Sequence, residues 1–380
     1  MYKAHRARSL LALFAAVAAV PSQAAMNLGV NTHFDQGWPT TAYAKVIESG
    51  ARAVRDTVTW GKVELQPGRF TFTAKNSGYV DLACSRSIPV LLMLAPRNNL
   101  YDGGMAVFSP AGQRALGHYV GALVDRFPCV VGIEIGNEIN TASRKWPGPA
   151  EKPAMYVAML KAVREELDRR PRRIALVGGC SIGVAADFHE RLFSAGELPL
   201  IDAVALHPYI NNPELLPEQF ARLRRAMELH GRIRPVWATE FGNYYKTPAD
   251  APPHALKVIT VMSATGMVER AFWYALLDEP WYPNMGLYNA AGPKPALATF
   301  RLAVRQLLAA GDAHRLPTKS PAVHLYRFGQ GPFVIWGPAR PLRLPAGARV
   351  FDAEGRAIAP PSQLGPAPIV VQSPGGFQIG

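Results

Sequence analysis

The sequence predicts an α/β fold, a TIM-type (β/α)8 barrel with a small C-terminal β-domain, and three observations carry that prediction. Eight nearly continuous apolar runs recur at regular intervals, segments with helical periodicity separate them, and the texture changes beyond residue 315. Strands buried on both faces read as unbroken Val, Ile and Leu rather than as alternation, so these runs belong in a parallel sheet covered by helices. Eight is also the number that closes a barrel, and a 380-residue chain has room for one of roughly 250–300 residues plus something small.

In order, the runs are "MNLGVNTH" (26–33), "RAVRDTV" (52–58), "IPVLLMLA" (88–95), "CVVGIEIG" (129–136), "RIALVGG" (173–179), "IDAVALHPY" (201–209), "RPVWATEF" (234–241) and "ERAFWYAL" (269–276). Apolar residues at helical spacing mark "PAGQRALGHYVGALVDRF", "AMYVAMLKAVREELDRR" and "PEQFARLRRAMELHG" between them, and "KPALATFRLAVRQLLAAG" (294–311) after the last. Beyond that, "AVHLYRFGQGPFVIWGP" reads as two strands around Gly-Gln-Gly, and later short runs read as further antiparallel strands. The chain therefore divides into a leader (1–25), a barrel (26–315) and a β-rich domain (316–380).

In the leader, Lys3, Arg6 and Arg8 precede the apolar "LLALFAAVAAV" (10–20), and small residues offer cleavage near Ala24 or Ala25. That is the layout of a secretory signal peptide, so a periplasmic or secreted location is expected. The run is short of the roughly 20 residues a spanning helix needs, and no later segment qualifies. Cys84, Cys129 and Cys180 allow at most one internal disulfide, and none sits at CxxC spacing. The formal charge is +13, three units of it in the leader, a field that favours polyanions such as acidic polysaccharide. Much of the Arg lies on helical segments with a solvated face, and no RNP, zinc-finger or Walker pattern appears, so no nucleic-acid partner is expected. None of the nine histidines forms a ligand pair, so neither metal nor cofactor is expected. The oligomeric state is not legible in the sequence.

The chemistry gathers where strands end, because a barrel of this kind delivers its reactive groups from the carboxyl ends of several strands. Strand one ends at His33, strand two contains Arg55, strand four delivers Asn137 and Glu138, strand six delivers His207 and Tyr209, strand seven delivers Glu240, and strand eight carries Trp273. Two glutamates on one rim match the needs of glycoside hydrolysis, one protonated to serve the leaving oxygen and one ionised to attack or to activate water. Arg55 is placed to keep a glutamate ionised, Tyr209 to donate to it, Asn137 to meet a sugar hydroxyl, and Trp273 to floor the sugar ring. Glu134 shares a side with Glu138 and needs a buried partner such as Arg or His.

"IGNEIN" resembles the Asn-Glu acid/base motif of the (β/α)8 glycoside hydrolase clan with catalytic glutamates on strands four and seven, and "WATEFG" resembles its nucleophile strand. "AVRDTVTWGKVELQPGRFTF" is similar to that clan's second strand, and "LHPY" to its sixth. "VGGCSIG" and "FWYALLDEPWYPNMGLYNAAGPKPAL" resemble more closely the family 39 type of β-xylosidases and exopolysaccharide glycosidases, over roughly residues 26–311. The resemblance implies a retaining double displacement on a polysaccharide. Glu138 is then the general acid/base and Glu240 the nucleophile, with carboxyl groups about 5–5.5 Å apart. Where many members carry a His after strand three, this chain has "APRNN", so Arg97 and Asn98 are expected to make a different sugar contact. Trp38, Trp60, Tyr101, Trp146, Trp281 and Tyr282 lie in loops, each as a sugar platform or a loop anchor.

Two other readings compete. "GGCSIG" fits G-x-S-x-G after a strand, as in a serine esterase using Ser181 with Asp202 or Asp278 and His254 or His314. A non-catalytic barrel that binds polysaccharide through its basic surface is the second.

Overall fold

The structure, a computed structural model, describes residues 25–146, 148, 151–373 and 378–380. The predicted leader, up to residue 24, lies outside the described residues. Eight parallel strands form a closed barrel: β1 Asn27–Asn31, β2 Val54–Asp56, β3 Val90–Leu94, β4 Val130–Ile135, β5 Ala175–Ile182, β6 Ala203–His207, β7 Val236–Phe241 and β8 Val268–Trp273. Each lies on its predicted run, with β8 beginning one residue before it. β5 continues three residues further, through Cys180-Ser181-Ile182, and a register irregularity against β6 falls between Gly178 and Ser181.

Alternation along the strands sorts side chains into two layers. Leu91, Val177, Ala205, Trp237 and Phe272 fill the barrel interior. Leu92, Ile133, Leu176, Val204 and Trp273 point the other way, into the larger core shared with the helices. The interior is tight: a Cβ at Gly29 in β1 would lie 2.6 Å from the Ala53 carbonyl and 2.8 Å from the Phe272 ring.

The surrounding helices are α1 Tyr43–Ser49, α2 Gly78–Ser85, α3 Pro110–Arg126, α4 Lys152–Asp168, α5 Ala186–Ser194, α6 Leu216–Leu229, α7 Ala251–Ala264 and α8 Pro295–Leu302. α3 begins as its sequence dictates, with Ser109 accepting from the Gly112 N–H and Pro110 in the first turn. Cys84 at the end of α2 is disulfide-bonded to Cys129, which precedes β4, while Cys180 is a buried free thiol.

Beyond α8, a six-stranded antiparallel sheet runs in the order Ala313–Arg315, His324–Phe328, Phe333–Trp336, Ile369–Gln372, Arg349–Phe351 and Ala357–Ile358. It leans on the barrel through polar clasps. The Trp336 indole N–H donates to Glu214 at 2.7 Å, and the Thr299 hydroxyl donates to the Ala353 carbonyl at 2.8 Å. Asp312 Oδ1 accepts from the Met26 backbone N–H at 3.0 Å and from the Ser263 hydroxyl at 2.8 Å.

Candidate active site

The carboxyl ends of the strands surround a cavity of about 530 Å³. Arg55 in β2 is the hub beneath it. Its Nε donates to Glu134 Oε2 at 2.6 Å, and its Nη1 donates to Glu240 Oε1 at 2.7 Å and to Asn31 Oδ1 at 2.8 Å. Its Nη2 reaches Asn137 Oδ1 at 3.2 Å. A planar guanidinium presents donors in several fixed directions, so one side chain orders three strands at once.

Glu134 is fully buried, and Arg55 is the partner the sequence demanded. Its other oxygen accepts from the Thr239 hydroxyl at 2.8 Å and the Cys180 thiol at 2.9 Å. Burial, together with that carboxylate, pushes the Cys180 thiol far above its ordinary range, so it is a donor and not a nucleophile here.

Glu240 closes the network from above. Its Oε2 accepts from the Tyr209 hydroxyl at 2.7 Å and lies 3.5 Å from His207 Nδ1. Burial alone would raise its pKa. The attraction of His207 and Arg55, with the hydrogen bonds from Tyr209 and Arg55, outweighs burial and holds this carboxyl below the usual range. Tyr209 is shifted the opposite way, its phenol kept protonated first by burial and then by Glu240.

Glu138 is more open, its side chain 28% exposed, and His207 Nδ1 stands 3.1 Å from its Oε1. Its backbone is left-handed, with φ +46°, a conformation that costs a non-glycine residue about 1–3 kcal/mol unless its surroundings impose it. Here they do. The Ile139 N–H donates to the Cys180 carbonyl at 3.0 Å, and Thr141 donates from both its N–H and its hydroxyl to the Glu138 carbonyl. Gly136, at φ +89°, lets the chain turn there, since a Cβ would meet the Ile139 side chain at 2.6 Å.

His33, Arg55, Asn137, Glu138, Tyr209 and Glu240 all border the cavity. Two expected contacts differ. Trp273 is 1% exposed; it packs edge-on against Phe241 and donates its indole N–H to the Met285 carbonyl. Phe272 takes the inward position of β8, alternation sends Trp273 outward, and the ring that reaches the cavity is Tyr274. His207 is fully buried between the carboxylates, so it meets glutamates and not a sugar. Arg97 and Asn98 do not border the cavity either. Asn98 is turned inward and ties the Glu64 carbonyl to the Leu100 N–H.

Among the loop aromatics, Trp60 and Tyr101 are anchors, stacked on each other and hydrogen-bonded to Glu64. Tyr282 faces the cavity, and its neighbour Trp281 is 66% exposed. Asn31, Thr239 and Cys180, which complete the buried network, and Glu279, whose carboxylate lies 3.5 Å from His33 Nδ1, were assigned no place at the site from the sequence. The parity of Asn31 and Thr239 on their strands was a usable signal. The place of Glu279 depends on a loop path that no periodicity encodes.

Ser181 is also corrected. It is fully buried and hydrogen-bonded to His189 Nε2 at 2.8 Å, not to His254 or His314. Asp202 is paired with Arg164 and Arg173, and Asp278 with Lys294, so neither serves it. A sealed serine cannot meet an ester. As for cations, one donor atom each from Glu138, His207 and Glu240 lie within 4.8 Å of one another, as do those of Glu134, Cys180 and His207. The oxygens nearest His207 already accept from other groups, Glu240 Oε2 from Tyr209 and Glu134 Oε1 from Thr239 and Cys180, so a cation would compete with those hydrogen bonds.

No family model matches the sequence, and no curated protein matches it. Solved structures do. A family 39 glycoside hydrolase from the gut symbiont Bacteroides cellulosilyticus WH2 superposes with a TM-score of 0.76 at 17% identity, covering 92% of this chain and 81% of that one. This chain shares its fold. A GH39 β-xylosidase from Caulobacter crescentus is similar over 94% of this chain and 98% of its own, with 16% identity and a TM-score of 0.62. The catalytic domain of GH30 xylanase C from Talaromyces cellulolyticus gives 12% identity and 0.63 over the same shares.

Proposed function

We propose that this chain is an exported, retaining glycoside hydrolase acting on a polysaccharide, with Glu240 as nucleophile and Glu138 as general acid/base. The observation that carries the reading is the pairing of an ionised, fully hydrogen-bonded Glu240 with a more open Glu138 at the mouth of one cavity. One carboxylate oxygen of each lies within 4.8 Å of one from the other. That closeness supports direct attack by a carboxylate over the wider spacing that leaves room for an inverting water.

Glu240 attacks the anomeric carbon while Glu138 gives its proton to the departing oxygen. Water then takes the leaving group's place, Glu138 removes its proton, and the glycosyl–Glu240 bond breaks. Arg55 and Tyr209 hold Glu240 ionised and aimed, and His207 spaces the two carboxylates. Tyr282 and Trp281 at the rim offer faces for further sugar units. The glycoside hydrolases whose fold this chain shares support the assignment, and the leader-like residues 1–25 support export.

Hydrolysis of a panel of aryl glycosides and bacterial exopolysaccharides, by wild type beside Glu240→Ala and Glu138→Ala, tests this. The expected result is loss of activity in both variants, and azide rescue of Glu240→Ala to a glycosyl azide of inverted configuration. Variants as active as wild type would sink the assignment.

A further inference from the structure

The opposite end of the barrel carries a second cavity, of about 320 Å³, between the end of α4 and the segments entering β5, β6 and β7. Arg164, Arg170, Arg172, Arg173 and Arg234 border it, with Asp168 and Asp202. Local pairing does not neutralise this set. Arg170 is held by Asp125 and Glu166. Arg164 takes Asp168 and shares Asp202 with Arg173. Arg172 spends its donors on the carbonyls of Val124, Phe127, Pro128 and Val130, and Arg234 donates Nε to the Leu198 carbonyl. Among the described residues, neither of these two has a carboxylate in salt-bridge contact.

The guanidinium groups crowd one another. After burial, the repulsion of Arg232, opposed by the attraction of Asp202 and joined by weaker repulsion from Arg173 and Arg164, pulls the Arg234 pKa below its ordinary value. An anion placed here would relieve that repulsion.

We propose that this cavity binds a carboxylate-bearing sugar unit of an acidic polysaccharide, a docking point remote from Glu138 and Glu240. The mixed lining selects that ligand. Guanidinium forks match a carboxylate, Asp168 and Asp202 accept from sugar hydroxyls, and Pro171, Pro199 and Leu200 give the ring an apolar wall. The same aspartates repel a bare polyphosphate, and a concave recess suits one sugar better than it suits a membrane plane. The site needs no reaction in the other cavity, so it stands or falls apart from the hydrolase reading.

Calorimetric titration of the full chain with hexagalacturonate, beside Arg173→Ala/Arg234→Ala, tests it. Both side chains lie at the surface, away from the first cavity. The expected result is binding weakened by about tenfold or more in the double variant and by added salt, with unchanged hydrolysis of any aryl glycoside that the wild type cleaves. In the wild-type protein, hexagalacturonate should slow phenylglyoxal modification of Arg173 and Arg234, a readout that does not depend on the variant folding. Equal binding by both forms, or no protection, overturns the site. Inorganic phosphate or phosphatidylglycerol vesicles losing more affinity than hexagalacturonate in the double variant overturns the sugar assignment.

Discussion

β5 separates two buried acidic groups that meet the cost of desolvation in opposite ways. On its inner side Glu134 is fully buried yet has Arg55, Thr239 and Cys180 on its oxygens. On its outer side Glu197 is equally buried and neither oxygen has a partner among the described residues, and burial lifts its pKa to about 8. His189 lies on the same outer side, bonded through Nε2 to Ser181 while its Nδ1 has no partner among the described residues, and burial drops its pKa to about 3. A charge with donors around it can stay ionised and organise a reactive site, whereas a charge without them is given up. The difference between the two sides is one of partners and not of depth.

Breaking the partnered side should have the largest effect. Arg55→Lys replaces a fork touching four residues with a single ammonium, and the expected loss in kcat is about 100-fold or more on any substrate the protein cleaves, read from steady-state kinetics. Glu134→Ala leaves Arg55 facing a void and should cost about 3–5 kcal/mol in urea unfolding, as for other broken buried pairs. On the unpartnered side the sign reverses. The folded pKa of Glu197 lies above its ordinary 4.5, so the stability tied to its protonated form is present below that value and is lost as pH rises toward about 8. Glu197→Met should therefore stabilise by about 2 kcal/mol at pH 8, and the gain should shrink as pH falls to 5. The smallest effect concerns His189, whose folded pKa lies below its ordinary 6.5. Its contribution is present above 6.5 and lost as pH falls toward 3, so His189→Gln should flatten the acid side of the Tm-against-pH curve. A curve unchanged by that substitution would mean that His189 takes up no proton on unfolding.

Much of this contrast was legible before any coordinates. The eight strands were, because a run such as "VLLML" can be buried on both faces and little else. Glu138 and Glu240 were, because a charged residue closing such a run has to be placed at a strand end. Glu134 announced its need for a cation, and Arg55 met it. Trp273 was misread because the last residues of a strand lie where inward and outward alternation changes hands, and one step separates the core from the cavity. The partner of Ser181 was sought far along the chain, whereas α5 folds back after one turn and brings His189 within 2.8 Å. Glu197 gave no signal, since its burial depends on how α5 and the following turn pack over Gly178, where a Cβ would sit 2.7 Å from Glu197 Oε1.

The clasp between Met26 and Asp312 has a consequence for maturation. If export proceeds as proposed and the leader is cut after Ala25, the nitrogen that now meets Asp312 Oδ1 at 3.0 Å as an amide becomes a free ammonium. An amide hydrogen bond would then turn into a charge-assisted one, in a geometry already set by Ser263 on the same oxygen. The precursor and the processed chain would share a fold but differ in how firmly the first barrel strand is tied to the start of the β-domain. Proteolytic processing would itself fasten the molecule shut.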